Sequence, residues 1–365
     1  MRSVLGSTPG FRPVAQAAVI LGLALASPWA MSQVTVFGVL DTGLNRVSAD
    51  GAGSRISINP DGNTSGRLGF RGSEDMGGGL KANFWLEMAV GVDDGTSGGT
   101  STTNKDSLST GGATFGRRST VGIEGPWGEV RLGRDYVPSF GNLTTSMHPF
   151  GTNGVGSSGH LFYQVNAGGT TARTNVRASN SIGYILPANK MGFYGAAMIA
   201  FGEQASVPAA TADDGDHTGV RLGWRKGPWN MSYATGKTKY ATGNYTQTNA
   251  GINYQMGPAK LMLLWGENKV GVTRTRATMV GTQWDVSART ELRAAYTTLT
   301  AQGVANDATH LALGVVHSLS KRTALYANWA QVDNKGTGVR FGVGLAPKTA
   351  GGSSSGFDAG IRHSF

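Results

Sequence analysis

The 365-residue sequence predicts an all-β fold, a 16-stranded antiparallel transmembrane β-barrel. Three observations predict it. The chain is rich in glycine and poor in charge, its segments alternate polar and apolar residues with period two, and its connections alternate between tight turns and longer loops.

Glycine occupies 57 positions, about twice its usual share of ~7%. Each glycine costs about 1 kcal/mol in a helix interior, so a helical fold is disfavoured. No cysteine is present, which excludes a disulfide framework, a Cys-ligated zinc or iron–sulfur site and a thiol nucleophile. With 39% hydrophobic and 15% charged residues the chain is not of disordered composition.

The first element is an address. Arg2 and Arg12 precede an apolar run over 17–26, followed by Pro28 and by Ala30-Met31-Ser32, with small residues at the positions a signal peptidase reads. Residues 1–32 are therefore expected to be a secretory signal peptide, and 33–365 a single barrel domain. Removing Arg2 and Arg12 leaves 30 basic against 22 acidic residues. No later stretch reaches the ~18 consecutive apolar residues that a transmembrane helix needs.

Strands follow. Val34, Val36, Leu40 and Leu44 alternate with Thr35, Asp41 and Asn45, and over 80–92 Leu80, Ala82, Phe84, Leu86 and Met88 alternate with Lys81, Asn83, Trp85 and Glu87. Such alternation places one set on each face of a sheet. Tight turns are expected at 74–79, 125–128, 187–190, 226–230, 256–260, 287–290 and 319–323. Polar loops are expected at 49–63, 94–113, 138–176, 204–215, 240–243, 270–273, 301–306 and 334–355. Seven turns and eight loops join sixteen strands, the pattern of an outer-membrane barrel with short turns on one side and longer loops on the other. A sheet in hydrocarbon has no free edge. The last strand, ending at Phe365, is therefore expected to close on the first. Aromatic residues near turns (Trp127, Trp229, Tyr233, Tyr254, Trp284 and Trp329) suit interfacial girdles.

Four motifs carry a resemblance that spans the mature chain. The stretch from Gln33 to Gly43 (QVTVFGVLDTG), that from Gly66 to Ala82 (GRLGFRGSEDMGGGLKA), that from Glu129 to Arg134 (EVRLGR) and the terminal GIRHSF resemble the general trimeric porins of β-proteobacteria. The resemblance implies a homotrimer and a third extracellular loop, 138–176, folded into the lumen as a constriction. It also implies a Gram-negative outer-membrane location and a water-filled channel for small hydrophilic solutes. One departure stands out: 138–176 contains no carboxylate, whereas cation-preferring members place acids there, and it carries Arg173, His148 and His160.

A lumen with Arg67, Arg71, Arg118 and Arg134 as its basic side, and Lys81, Arg131, Glu87, Glu124 and Arg173 in second rank, is expected to prefer anions. Arg134 lies in register with Val130 and Leu132, so its inward aim requires a bulge. Two further readings are a saturable, substrate-selective channel with Phe140, Phe150, Phe162 and Tyr163 as a track, and a barrel enzyme. The expected partners are outer-membrane lipid and lipopolysaccharide, solutes and anions, and the barrel-assembly machinery. The six histidines show no metal-ligand spacing, and no basic cluster suggests nucleic acid. The run 154–159 matches G-x-G-x-x-G without the strand, helix and acid of a dinucleotide site. No cofactor is expected, and loop flexibility accounts for the run.

Overall fold

The computed structural model describes residues 34–98, 101–105, 114–163, 173–207, 209–302, 306–336 and 341–365. The expected signal peptide lies outside the described residues.

The strands are β1 (Thr35–Ala49), β2 (Gly53–Pro60), β3 (Arg67–Gly77), β4 (Leu80–Ala89), β5 (Arg118–Gly125) and β6 (Gly128–Tyr136). They continue with β7 (Arg177–Ile185), β8 (Phe193–Ala200), β9 (His217–Lys226), β10 (Trp229–Thr238), β11 (Tyr245–Met256) and β12 (Ala259–Val270). The last five are β13 (Thr273–Ser287), β14 (Thr290–Gln302), β15 (Asn306–Ser318), β16 (Thr323–Gly336) and β17 (Ser353–Ser364). Every strand pairs antiparallel with the next except β2 with β3, and all seven expected turns fall where strands are joined.

Seventeen segments make sixteen staves because β2 and β3 are two halves of one. The lower part of β1 pairs with β3, Thr35 opposite Arg71, and the upper part with β2, Ala49 opposite Gly53. The expected loop 49–63 is thus corrected: most of it is strand, leaving a three-residue turn and a break at 61–66. Asp41 makes the break tolerable. Its carboxylate accepts the backbone N–H groups of Gly62, Asn63 and Thr64 at 3.1, 3.2 and 2.7 Å and the Tyr326 hydroxyl at 2.8 Å. Asp61 accepts the Gly66 N–H at 2.6 Å. Backbone donors that lost their ladder partners are satisfied by side chains instead.

The barrel closes between β1 and β17, from Val39 opposite Ser364 to Ala49 opposite Ser354. Gly38 and Phe365 exchange two backbone hydrogen bonds of 3.1 Å. Glycine is required along this seam. A Cβ on Gly43 would lie 2.4 Å from the Ala359 carbonyl oxygen, and one on its partner Gly360 would lie 2.4 Å from the Tyr326 hydroxyl that reaches Asp41.

The alternation sorts the two faces. Leu40, Leu44, Ile56, Val121, Leu132, Val220, Leu222, Leu261, Leu263, Val280 and Phe357 are exposed on the outside. Asp41, Asn45, Thr120, Asn230, Gln247, Asn249, Asn268 and Asp358, in the opposite register, are buried. Of the aromatic set, Trp127, Trp229, Tyr233 and Trp284 are exposed toward the tight-turn end and Tyr254 packs on Trp229 at 4.5 Å, whereas Trp329 lies in mid-strand opposite Leu313.

Candidate functional site

The inward register of β12–β16 is unusually apolar for a wet lumen: Met262, Leu264, Ala277, Met279, Ala295, Leu299, Ala308, Ala312, Ala330 and Val332. The connection after β6 covers it. This segment carries a 3-10 turn, Pro138–Asn142, and one helical turn, Gly159–Phe162, and packs Leu143, Met147, Phe150, Val155, Leu161 and Phe162 onto that strip. Each such side chain contributes about 1.5–3 kcal/mol on burial. Polar wall groups fix the register: Asn249 accepts from Asn142 at 2.9 Å, Asn268 donates to the Phe162 carbonyl at 2.7 Å and Gln283 to the Pro149 carbonyl at 2.9 Å. Asp358 accepts the Val155 N–H at 2.8 Å.

The aromatic track suggested by the sequence is corrected in part. Phe150 and Phe162 are buried in this apolar contact and Tyr163 packs against it, whereas Phe140 stacks on Tyr136 at 4.9 Å and lines the cleft beside it. The glycine run is corrected too. Gly154 is needed for close approach, since a Cβ there would lie 2.3 Å from the Gly62 carbonyl oxygen, and its φ is +62°. Burial depresses His148 to about 3 and lowers His160, so neither adds charge to the segment near neutrality.

The segment's other side faces the β3–β6 wall across a cleft of about 390 Å³. Thr144, Thr145, Thr152 and Asn153 line one side; Arg67, Arg117 and Tyr136 line the other. Glu87 serves two of these cations, with Arg117 at 2.7 Å and Arg67 at 3.7 Å. The Tyr136 hydroxyl oxygen accepts from both Arg117 and Arg177 at 2.9 Å. A second recess adjoins Arg71, Arg118, Arg131, Glu124 and Glu129. There Arg71 lies over the Phe37 and Trp85 rings, and Arg118 lies over Trp85 with Asp135 at 3.5 Å. Arg131 holds Glu129 at 2.6 Å and Asp135 at 3.2 Å.

The structure thus brings together Arg67, Arg71, Arg118, Arg131, Glu87 and Glu124. Lys81 stands apart at the tight-turn end, between Asp75 and Glu124 in register. Arg173 is exposed and outside the cleft lining. Arg134 is a correction. The ladder does shift between Gly133 and Asp135, but the extra residue sits in β7, where Asn180 has φ 56°, and Arg134 stays in register with Ser119. Its guanidinium is held by the Gly116 carbonyl at 2.7 Å and Ser179 Oγ at 2.8 Å, away from Glu87.

Arg117, Tyr136 and Arg177 were missed. Arg117 donates its N–H to the Glu87 carbonyl while Arg118 is Glu87's register partner, so two consecutive arginines oppose one residue. Such a β-bulge defeats a strict two-residue period. The adjacent Arg117-Arg118 pair at a strand start was the only hint.

Residues 17–337 match the family model described as Gram-negative porin. Outer membrane porin protein 32 of Delftia acidovorans is 36% identical over 95% of this chain and 99% of its own length. In fold, the chain is similar to the anion-selective porin from Comamonas acidovorans, with TM-score 0.76 and 34% identity over 92% of this chain and 100% of that one. It is also similar to OmpT of Vibrio cholerae, with TM-score 0.61 and 16% identity over 92% and 99% of the two chains, a likeness of fold alone.

Proposed function

The chain belongs to the Gram-negative porin family, and on that premise we propose that it is an anion-preferring diffusion channel whose narrowest point lies between the 137–163 segment and the arginines of β3–β7. The protein is an outer-membrane porin, and passive passage of small hydrophilic solutes is the function its relatives and fold support. In this reading 138–176 is the constriction loop within the lumen, 1–32 is removed on export, and three copies assemble. Lipopolysaccharide surrounds the trimer and the barrel-assembly machinery inserts it.

One observation carries the selectivity. Six arginines, Arg67, Arg71, Arg117, Arg118, Arg131 and Arg177, face five carboxylates along this path, Glu87, Glu124, Glu129 and Asp135 together with Asp61 near Arg67 and Arg117, and the segment opposite supplies threonine and asparagine but no acid. Unit charges ~4 Å apart interact by about 4 kcal/mol at an effective dielectric near 20, so unbalanced guanidinium groups in a narrow lumen favour anions. The lining receives no catalytic role: guanidinium, hydroxyl and amide groups hold and pass an anion. Hydrolysis of lipid or peptide by the pure protein would contradict this.

Planar-bilayer recording in a potassium chloride gradient tests the proposal. Conductance steps in threes and a reversal potential favouring chloride are expected, and a potential favouring potassium refutes the selectivity.

A further inference from the structure

Apart from Arg46 on β1 and the Asp307–Lys335 pair across β15 and β16, the outer wall carries a cluster of charge that the channel does not use. At the long-loop ends of β10, β12 and β13, Lys237, Glu267, Lys269, Arg274 and Arg276 all stand in the outward register. The connections here are short, two residues between β12 and β13, so the wall is left uncovered. Lys269 pairs directly with Arg274, and Thr246 alone separates Lys269 from Lys237 across β11. Like charges opposite one another destabilise a sheet. The single carboxylate, Glu267, is divided between Arg276 at 2.7 Å and Arg274 at 3.6 Å. Four cations therefore share one acid.

Height narrows the partner. Arg274 and Lys269 lie within two residues of the turn, about 5 Å below its tip for a strand tilted some 40°. Beneath them the same face becomes Leu261, Leu263 and Val280, all exposed. A band of cations directly above an apolar wall matches a lipid with a phosphorylated headgroup and acyl chains below it. The long-loop end faces the outside, where the lipid is lipopolysaccharide.

We propose that Lys237, Lys269, Arg274 and Arg276 form a seat for the phosphates of the lipopolysaccharide glucosamine backbone. The inference rests on the reading that lipopolysaccharide is a partner and adds where it is held. The seat neutralises the Lys269–Arg274 opposition, and Glu267 orients the Arg276 guanidinium.

The test uses the full-length mature protein in detergent, with bisphosphorylated lipid A, dephosphorylated lipid A or inorganic pyrophosphate as probe, and native mass spectrometry to count bound molecules. Wild type is expected to retain the bisphosphorylated lipid about tenfold more than the dephosphorylated one. The double variant Lys269→Gln/Arg274→Gln is expected to lose that preference. Lys269→Arg is expected to keep it, as is Lys226→Gln at the opposite rim. If wild type holds neither lipid, the lipopolysaccharide reading fails; if it holds both equally, lipopolysaccharide is a partner but the phosphate seat is refuted. If wild type discriminates and the double variant does so equally, the seat is misplaced. Retention of pyrophosphate as strong as that of the lipid would overturn the lipid assignment.

Discussion

Glu87 is the one carboxylate shared by Arg67 and Arg117 at the cleft, and its side chain is almost wholly buried. Replacing it with glutamine removes the ion-pair partner of both guanidinium groups and leaves them only the more distant Asp61. Glu87→Gln is therefore expected to raise the chloride-to-potassium permeability ratio severalfold and to cost about 3 kcal/mol in stability, read by reversal potential and thermal unfolding in detergent. His148 gives a second prediction at this scale. Its Nδ1 accepts the Phe150 N–H at 3.3 Å, and burial holds the ring neutral down to about pH 3. The unfolded chain takes up that proton near pH 6.5. Stability from this group is fully present above pH 6.5 and is lost as pH falls toward 3, by about 2 kcal/mol at pH 5. The melting temperature of wild type should fall over this range, and that of His148→Asn should fall less; parallel curves would contradict the assignment. Single residues were only partly legible in the sequence. Period two placed Arg67, Arg71, Arg118 and Arg131 on one face, but it was blind to Arg117, whose bulge depends on how Glu87 is paired across the strand.

Strands and turns were more legible than loops because their signals are local. Gly77-Gly78-Gly79, all at positive φ, announce the β3–β4 turn without help from the rest of the chain. The break between β2 and β3 was hidden for the opposite reason. Residues 49–63 are polar and glycine-containing, as a loop would be, and become strand only because β1 extends far enough to pair with them. The break itself is held by a side chain some twenty residues earlier. Asp41→Ala would strip partners from three backbone N–H groups and from Tyr326. At about 1–3 kcal/mol for each buried donor left unmet, part of which water will recover, a loss of several kcal/mol is expected. The variant should unfold at a lower temperature on heated gel-shift assay; an unchanged midpoint would show that the break stands without Asp41.

At the scale of the whole molecule the proposed constriction divides the lumen. The alanine-rich strip of β12–β16 is buried under the 137–163 segment, and in this proposal the water path is left to the arginine side. The sequence displayed those alanines, but their inward aim meant little until the segment that covers them was placed, since a small residue on a strand suits lipid, lumen or contact equally. The absence of native cysteine makes the division measurable. Thr152 lines the cleft and is partly exposed, whereas Ala312 is fully buried on the covered strip. In single-cysteine variants, an anionic thiol-reactive reagent should modify Thr152→Cys and lower the current, because the added negative charge sits opposite Arg67 and Arg117. Ala312→Cys should be untouched while the barrel is folded and react only after heating. Equal reactivity at both positions in the native protein would mean that water passes behind the segment as well as in front of it. The constriction would then lie elsewhere, and the arginines of β3–β7 would lose their hold on selectivity.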